Sequence, residues 1–200
     1  MRKRVGIFGG SFNPVHTGHM IVASYIAGWT DIDEVWLTLS PENPLKRRHD
    51  GATDADRLSM LRTACGNSDT LKVCDVELGM PRPSYTVNTL RFLRDRYPEC
   101  DFTLIIGSDN WKIFDRWHAA EEIIKEFGVT VYPRPGYPVD SRTLPEGVAY
   151  ADAPTVSLSS TFLRQAISRD MPVRHMVPDG VEQYILQERL YKKPEHEAQQ

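Results

Sequence analysis

Apolar and polar positions along the chain follow two periods. Residues 5–8, 34–40 and 101–107 are short apolar runs bounded by turn formers, and they predict strands. Residues 71–78 alternate apolar with polar, as a half-exposed strand nearer a sheet edge would, and Val129-Thr130-Val131-Tyr132 predicts another strand. Residues 20–26 place apolar side chains at helical spacing, with Gly28 expected just past the helix end. Thr53 is expected to cap a helix with Asp54 and Asp56 in its first turn and Leu58, Leu61 and Ala64 on its apolar face. Pro81 and Pro83 forbid helix until Tyr85, after which Thr86 is expected as the N-cap of a helix running to about Tyr97. A short strand from Val156 is expected to enter Ser159, Ser160 and Thr161, which cap a further helix, and residues 177–191 predict a last amphipathic one. Trp29 and Trp36 are assigned to packing. Strand, helix and strand in succession imply right-handed parallel crossovers, hence an α/β protein with a mostly parallel sheet in one domain, residues 1–191, followed by a polar tail at 192–200.

Composition narrows the function. The 200 residues carry 24 Lys and Arg against 27 Asp and Glu, a net charge of −3, which gives no electrostatic footprint for a nucleic acid or a membrane surface. No apolar run approaches the roughly 20 residues of a membrane span, and Met1-Arg2-Lys3-Arg4 leads straight into a strand, so a cytoplasmic protein is expected. Cys65, Cys74 and Cys100 lack C-x-x-C spacing and are expected as reduced, packed thiols.

The chemistry is expected where the first strand meets the first helix. Gly9, Gly10, Ser11, Phe12, Asn13 and Pro14 form a tight loop whose paired glycines let backbone lie against a ligand. The helix behind them turns its unpaired N–H groups and positive dipole end to the same place, which suits an anion. His16 and His19 are three residues apart at that helix start and can face one bound group. Neither G-x-x-x-x-G-K-[ST] nor G-x-G-x-x-G is present in this stretch, which excludes a P-loop and a dinucleotide fingerprint. A second convergence lies at Ser159, Ser160, Thr161 and Arg164, where hydroxyls, free amides and a guanidinium fork meet as a polyphosphate site requires. Asp109, just past the strand that ends in Gly107, is placed to accept from ribose hydroxyls, or to hold a magnesium-bound water, or else to cap the next helix.

The stretch Gly9-Gly10-Ser11-Phe12-Asn13-Pro14-Val15-His16-Thr17-Gly18-His19 resembles the H-x-G-H signature of the nucleotidyltransferase superfamily, and within it the bacterial nicotinate-mononucleotide adenylyltransferases. Leu158-Ser159-Ser160-Thr161-Phe162-Leu163-Arg164 is similar to the superfamily's I-S-S-T-x-x-R, and the resemblance extends from the first strand to Tyr191. It implies a Rossmann-like, doubly wound sheet with helices on both faces. It also implies adenylyl transfer from ATP with Mg2+ to nicotinate mononucleotide, giving nicotinate adenine dinucleotide and pyrophosphate. His16, His19, Lys46 and Arg164 would then be catalytic, with Lys46 reaching the phosphates from a loop whose Asn43-Pro44-Leu45-Lys46 departs from the family's more usual P-P-H-K. ATP would lie on Gly9, Gly10, Ser11, Phe12, His19, Gly107, Asp109, Ser159, Ser160, Thr161 and Arg164. Tyr85 and Thr86, within R-P-S-Y-T-x-x-T-L, would offer main-chain N–H groups to the pyridine carboxylate. Trp117 would stack on the base, and His118, Arg134 and Lys46 would complete the nicotinate-nucleotide side. Mg2+ would be held mainly by the ATP phosphates, with no metal site in the protein. Two alternatives stand beside this: another H-x-G-H enzyme, such as a pantetheine-phosphate adenylyltransferase or a cytidylyltransferase, and a sensor that binds ATP without turnover.

Overall fold

The computed structural model describes residues 2–41 and 51–192. Six strands form one sheet: β1 (Lys3–Gly10), β2 (Glu34–Leu39), β3 (Leu71–Cys74), β4 (Cys100–Gly107), β5 (Val129–Tyr132) and β6 (Val148–Tyr150). They lie in the order β3-β2-β1-β4-β5-β6, and every neighbouring pair is parallel. The chain therefore turns back between β1 and β4, and a ligand crevice is expected outside their carboxyl ends.

Strand side chains alternate between two cores because successive Cβ atoms point to opposite faces. Phe8, Val35, Leu37, Leu39 and Ile105 enter one cluster, covered by α1 (Thr17–Trp29), α2 (Asp54–Cys65), α6 (Ser160–Ile167) and α7 (Asp179–Gln187). Val5, Ile7, Phe102, Leu104, Ile106, Val129 and Val131 enter the other, under α3 (Thr86–Arg96) and α5 (Ala120–Phe127). The short α4 (Ser108–Trp111) follows β4 directly. This is the Rossmann-like, doubly wound arrangement with helices on both faces. Among the described residues no helix is long and apolar enough to cross a membrane. Cys65, Cys74 and Cys100 are buried and unpaired.

Several local expectations need correction. Gly28 lies inside α1, which ends at Thr30, where the hydroxyl donates to Ile26 O at 2.6 Å. The strand from Leu71 stops at Cys74 and turns into a 3₁₀ helix, Val76–Gly79, so the alternation up to Leu78 is not one strand, although β3 is an edge as expected. Thr86 is the first helical residue of α3, and Tyr85 takes the cap position. Val156 to Leu158 forms no strand, since the Leu158 N–H bonds back to Val156 O at 2.9 Å. The apolar face of α2 is Met60, Leu61 and Cys65, together with Arg57, while Leu58 and Ala64 are only partly buried. Trp29 is 78% exposed and stacks on Tyr25, so it does no core packing. The Thr53 cap of α2 is present as a reciprocal box with Asp56.

Candidate active site

Gly9 and Gly10, expected in the loop, are the last two residues of β1 and pair with Thr38 and Leu39, so the loop proper starts at Ser11, between the ends of β2 and β4. A Cβ on Gly9 would meet nothing within 4 Å, because this glycine opens onto a cavity of about 710 Å³. Gly10 is needed for a different reason, since a Cβ there would come to 3.0 Å from the Phe12 ring. Phe12 adopts a φ of 43°, and its ring is in the core, edge-on to His19 at 5.0 Å. The side chain of Phe12, a residue expected at ATP, packs against the His19 imidazole.

His16 and His19 stack with ring centroids 3.6 Å apart. A Cβ on Gly18 would lie 3.1 Å from His16 Nδ1, which explains why the residue before His19 is glycine. Burial, with a smaller push from the Arg134 charge, lowers the His16 pKa to about 4. Burial, then His16, then Arg134 lower His19 well below the usual imidazole value. Both rings are therefore neutral near pH 7 in the ligand-free protein. His19 Nδ1 accepts from the His16 N–H at 3.2 Å, so the His19 proton sits on Nε2 and can be donated to a ligand. Among the described residues His16 Nδ1 is buried with no hydrogen-bond partner. The start of α1 is less open than expected, because the Thr17 N–H is taken by Met176 O at 2.9 Å and its hydroxyl by His175 O at 3.0 Å.

The start of α6 closes on this loop. Ser159 caps the helix by accepting from the Phe162 N–H, and the Ser160 hydroxyl donates to Pro14 O at 2.9 Å. Arg164 donates to Asn13 O at 2.8 Å and to the Thr161 hydroxyl at 3.3 Å. The two convergences in the sequence are thus one site. Beside it, a groove of about 370 Å³ is lined by Asp109, Arg134, Ser157, Ser159 and Phe162. Gly107 belongs here, since a Cβ on it would strike Asp109 Oδ1 at 2.4 Å and Arg134 at 2.8 Å. Arg134, expected on the nicotinate side, lies with the residues expected for ATP, its Nε 3.8 Å from Asp109 Oδ1. The displacement follows from topology, because β5 is carried past β4 on the side away from β2.

The large cavity lies on the β2 side and is lined by Gly9, Ser40, Glu77, Arg82, Ser84, Thr86 and Thr89, with Ile7 and Leu104 to Ile106 as its apolar wall. Thr86, the first residue of α3, faces it as expected. Tyr85 and His118 instead pair with each other, ring centroids 4.3 Å apart, and Trp117 packs on Phe114 at 5.3 Å; none of the three lines the cavity. Lys46 lies outside the described residues.

Sequence reading missed three contributors. Glu77 is buried in the cavity wall and accepts from the Thr89 hydroxyl at 3.0 Å; burial raises its pKa against the opposing pull of Thr89, Ser40 and Ser84. Arg57 is 1% exposed and donates to Ser11 O and Ser40 O. Asn13, read as a turn former, accepts at Oδ1 from the Tyr191 hydroxyl at 2.8 Å and from the Ala52 N–H at 3.4 Å. Only Arg57 left a trace, at i−3 and i−4 to the buried Met60 and Leu61. Among the described residues no group of three or more His, Cys, Asp or Glu is arranged to hold a metal ion.

A doubly wound sheet with a glycine loop, paired imidazoles and an Arg-bearing helix start at its switch point defines a nucleotide-binding protein of the nucleotidyltransferase class. Comparison with known proteins agrees. Residues 7–166 match the model of the Cytidylyltransferase-like family. Two relatives named "Probable nicotinate-nucleotide adenylyltransferase" are 47% identical over 92% of this chain and 91% of the protein from Bacteroides thetaiotaomicron, and 43% identical over 94% and 93% for that of Bacteroides fragilis. The chain belongs to the nicotinate-nucleotide adenylyltransferases of the Cytidylyltransferase-like family. A solved structure of Plasmodium falciparum nicotinic acid mononucleotide adenylyltransferase complexed with NaAD shares the fold, with a TM-score of 0.76 at 20% identity over 94% of this chain and 97% of that one.

Proposed function

We propose that this protein transfers the adenylyl group of ATP to nicotinate mononucleotide, forming nicotinate adenine dinucleotide and pyrophosphate in NAD biosynthesis. The observation that carries the reading is the joining of the His16–His19 stack and the α6 start on one loop, Gly9 to Pro14, between two separate recesses. One recess, at Asp109 and Ser159, suits ATP, and the other, under the start of α3, suits the pyridine nucleotide.

The nucleophile is the phosphate oxygen of nicotinate mononucleotide, already ionised near neutral pH. It attacks the α-phosphorus of ATP, and the bond from that phosphorus to the bridging oxygen breaks as pyrophosphate leaves. The protein has to align the two phosphates and neutralise negative charge on the α-phosphate oxygens. His19 supports that role through its Nε2–H, assisted by His16, the positive end of α1 and the Arg164 guanidinium. Lys46 is part of the proposal by family resemblance. Mg2+ enters with ATP as part of the substrate and supplies further charge neutralisation on its phosphates. Ser11 in the loop and Ser160 and Thr161 at the α6 start belong to the proposed ATP side. On the pyridine side, the N–H groups at Thr86 favour an anionic nicotinate over a neutral nicotinamide. The proposal includes a cytoplasmic location, consistent with three unpaired cysteines.

The test is pyrophosphate release with ATP-Mg and, in parallel, nicotinate mononucleotide, nicotinamide mononucleotide and phosphopantetheine. Strong preference for the first is expected. Preference for phosphopantetheine would keep the chemistry and overturn the acceptor, and no release with any of them would leave a nucleotide sensor.

A further inference from the structure

Among the described residues Arg57 is one of the largest fully buried side chains, 1% exposed, on the inner face of α2. Burying a guanidinium is costly unless its donors are all engaged. Its Nη1 donates to the carbonyl of Ser11, in the glycine loop, and at 2.9 Å to that of Ser40, at the end of β2. Its Nη2 donates to Asp54 at 2.6 Å, and Asp54 also faces Arg82 of the large cavity at 3.5 Å. The two carbonyls belong to adjacent strand ends, which the Ser40 N–H already joins through Gly10 O at 2.9 Å.

We propose that Arg57 is a positioning residue for adenylyl transfer, turning the carbonyl oxygens of Ser11 and Ser40 inward and away from the substrates' phosphates. A loop that receives an anion must present N–H groups and withdraw its carbonyl oxygens, since each outward lone pair would repel phosphate. The Ser11–Phe12 peptide is planar and trans, so holding its oxygen toward α2 directs the Phe12 N–H the opposite way. Phe12 has a φ of 43°, a conformation that a phenylalanine rarely adopts without outside support. The fork geometry matters as well as the charge: one nitrogen spans two carbonyls while the other is fixed by Asp54, which a lysine ammonium on a flexible stem does not reproduce.

This inference rests on the proposed activity for its kinetic consequence, but it has a readout of its own. Arg57→Lys is examined by melting temperature, by kcat and KM, and by hydrogen–deuterium exchange in the ligand-free protein. The expected result is a kcat/KM for ATP at least tenfold lower and exchange at least fivefold faster in residues 9–14, with β4 and α5 exchanging as before. Wild-type turnover in the lysine variant would show that charge alone suffices and overturn the proposal. So would unchanged exchange in residues 9–14, or exchange raised equally everywhere. Should Arg57→Lys fail to fold, Asp54→Asn keeps the guanidinium and frees one end of it; a smaller rise in exchange confined to the loop supports the proposal, and none refutes it. If the wild-type protein itself fails to turn over nicotinate mononucleotide, the activity is wrong, and the exchange result still decides the role of Arg57.

Discussion

His16 and His19 are the residues proposed to carry the chemistry, and their burial has a measurable cost. Unfolded His16 takes up a proton near pH 6.5, whereas in the folded protein it stays neutral until about pH 4. Between those values the unfolded state binds the extra proton, so the native state is fully favoured above pH 6.5 and loses stability as the pH falls toward 4. By pH 5 the loss from this one residue is about 2 kcal/mol, and His19 acts in the same direction. Denaturation at pH 7.5 and pH 5 is expected to show that decline, and His16→Gln to show a visibly smaller one; an equal decline would mean that other groups are responsible. His19→Ala removes the Nε2–H donor while the ring stack loses one member. It is expected to lower kcat by ~10²–10³ with a folded protein, and an unchanged rate would remove the imidazole from the mechanism. Gly18→Ala tests the same geometry more gently. A methyl group 3.1 Å from His16 Nδ1 has to push that ring aside, so kcat should fall while the helix, which gains propensity, keeps its stability.

At the scale of elements, what the sequence disclosed was what is local. The strand cores, the α2 cap and both polyphosphate convergences are patterns of neighbouring residues, and they lie where periodicity and capping place them. What stayed hidden were contacts between distant residues. Nothing near Glu77 announces Thr89, nothing near Asn13 announces Tyr191, and Arg134 could be put at a strand end but not beside Asp109. Boundaries slipped where a local bond competed with the pattern, as at Thr30, Tyr85 and Leu158. The aromatic assignments on the pyridine side rested on resemblance, and in the ligand-free fold Tyr85, His118 and Trp117 pair among themselves and with Phe114. The α2 cap offers a clean test. The Thr53 hydroxyl accepts from the Asp56 N–H at 3.1 Å while the Asp56 carboxylate accepts from the Thr53 N–H at 3.0 Å. Thr53→Ala is expected to cost about 1 kcal/mol in urea denaturation, with an unchanged m-value; a change within error would mean that water replaces the cap.

For the molecule as a whole, the active loop is held from both ends of the sequence. Tyr191, in the last described turn, donates its hydroxyl to Asn13, whose carbonyl in turn holds Arg164. The chain thus closes on the loop proposed to receive the phosphates across 178 positions. If that closure supports nucleotide binding as well as the fold, the two roles separate through linkage. Tyr191→Phe keeps the ring and deletes one buried hydrogen bond, a loss of about 1 kcal/mol, or roughly 2–4 °C in melting temperature for a domain of this size. A ligand that binds only the native state adds RT ln(1 + [L]/Kd), about 2.7 kcal/mol at a hundredfold excess over Kd. If the hydroxyl serves only packing, ATP-Mg raises the melting temperature of wild type and variant by the same increment. If it sets the loop that receives the phosphates, the variant binds ATP more weakly and its increment at fixed ATP is smaller. The smaller increment is the expected result, because Asn13 carries both the Tyr191 bond on its side chain and the Arg164 bond on its carbonyl, so that freeing one loosens the other.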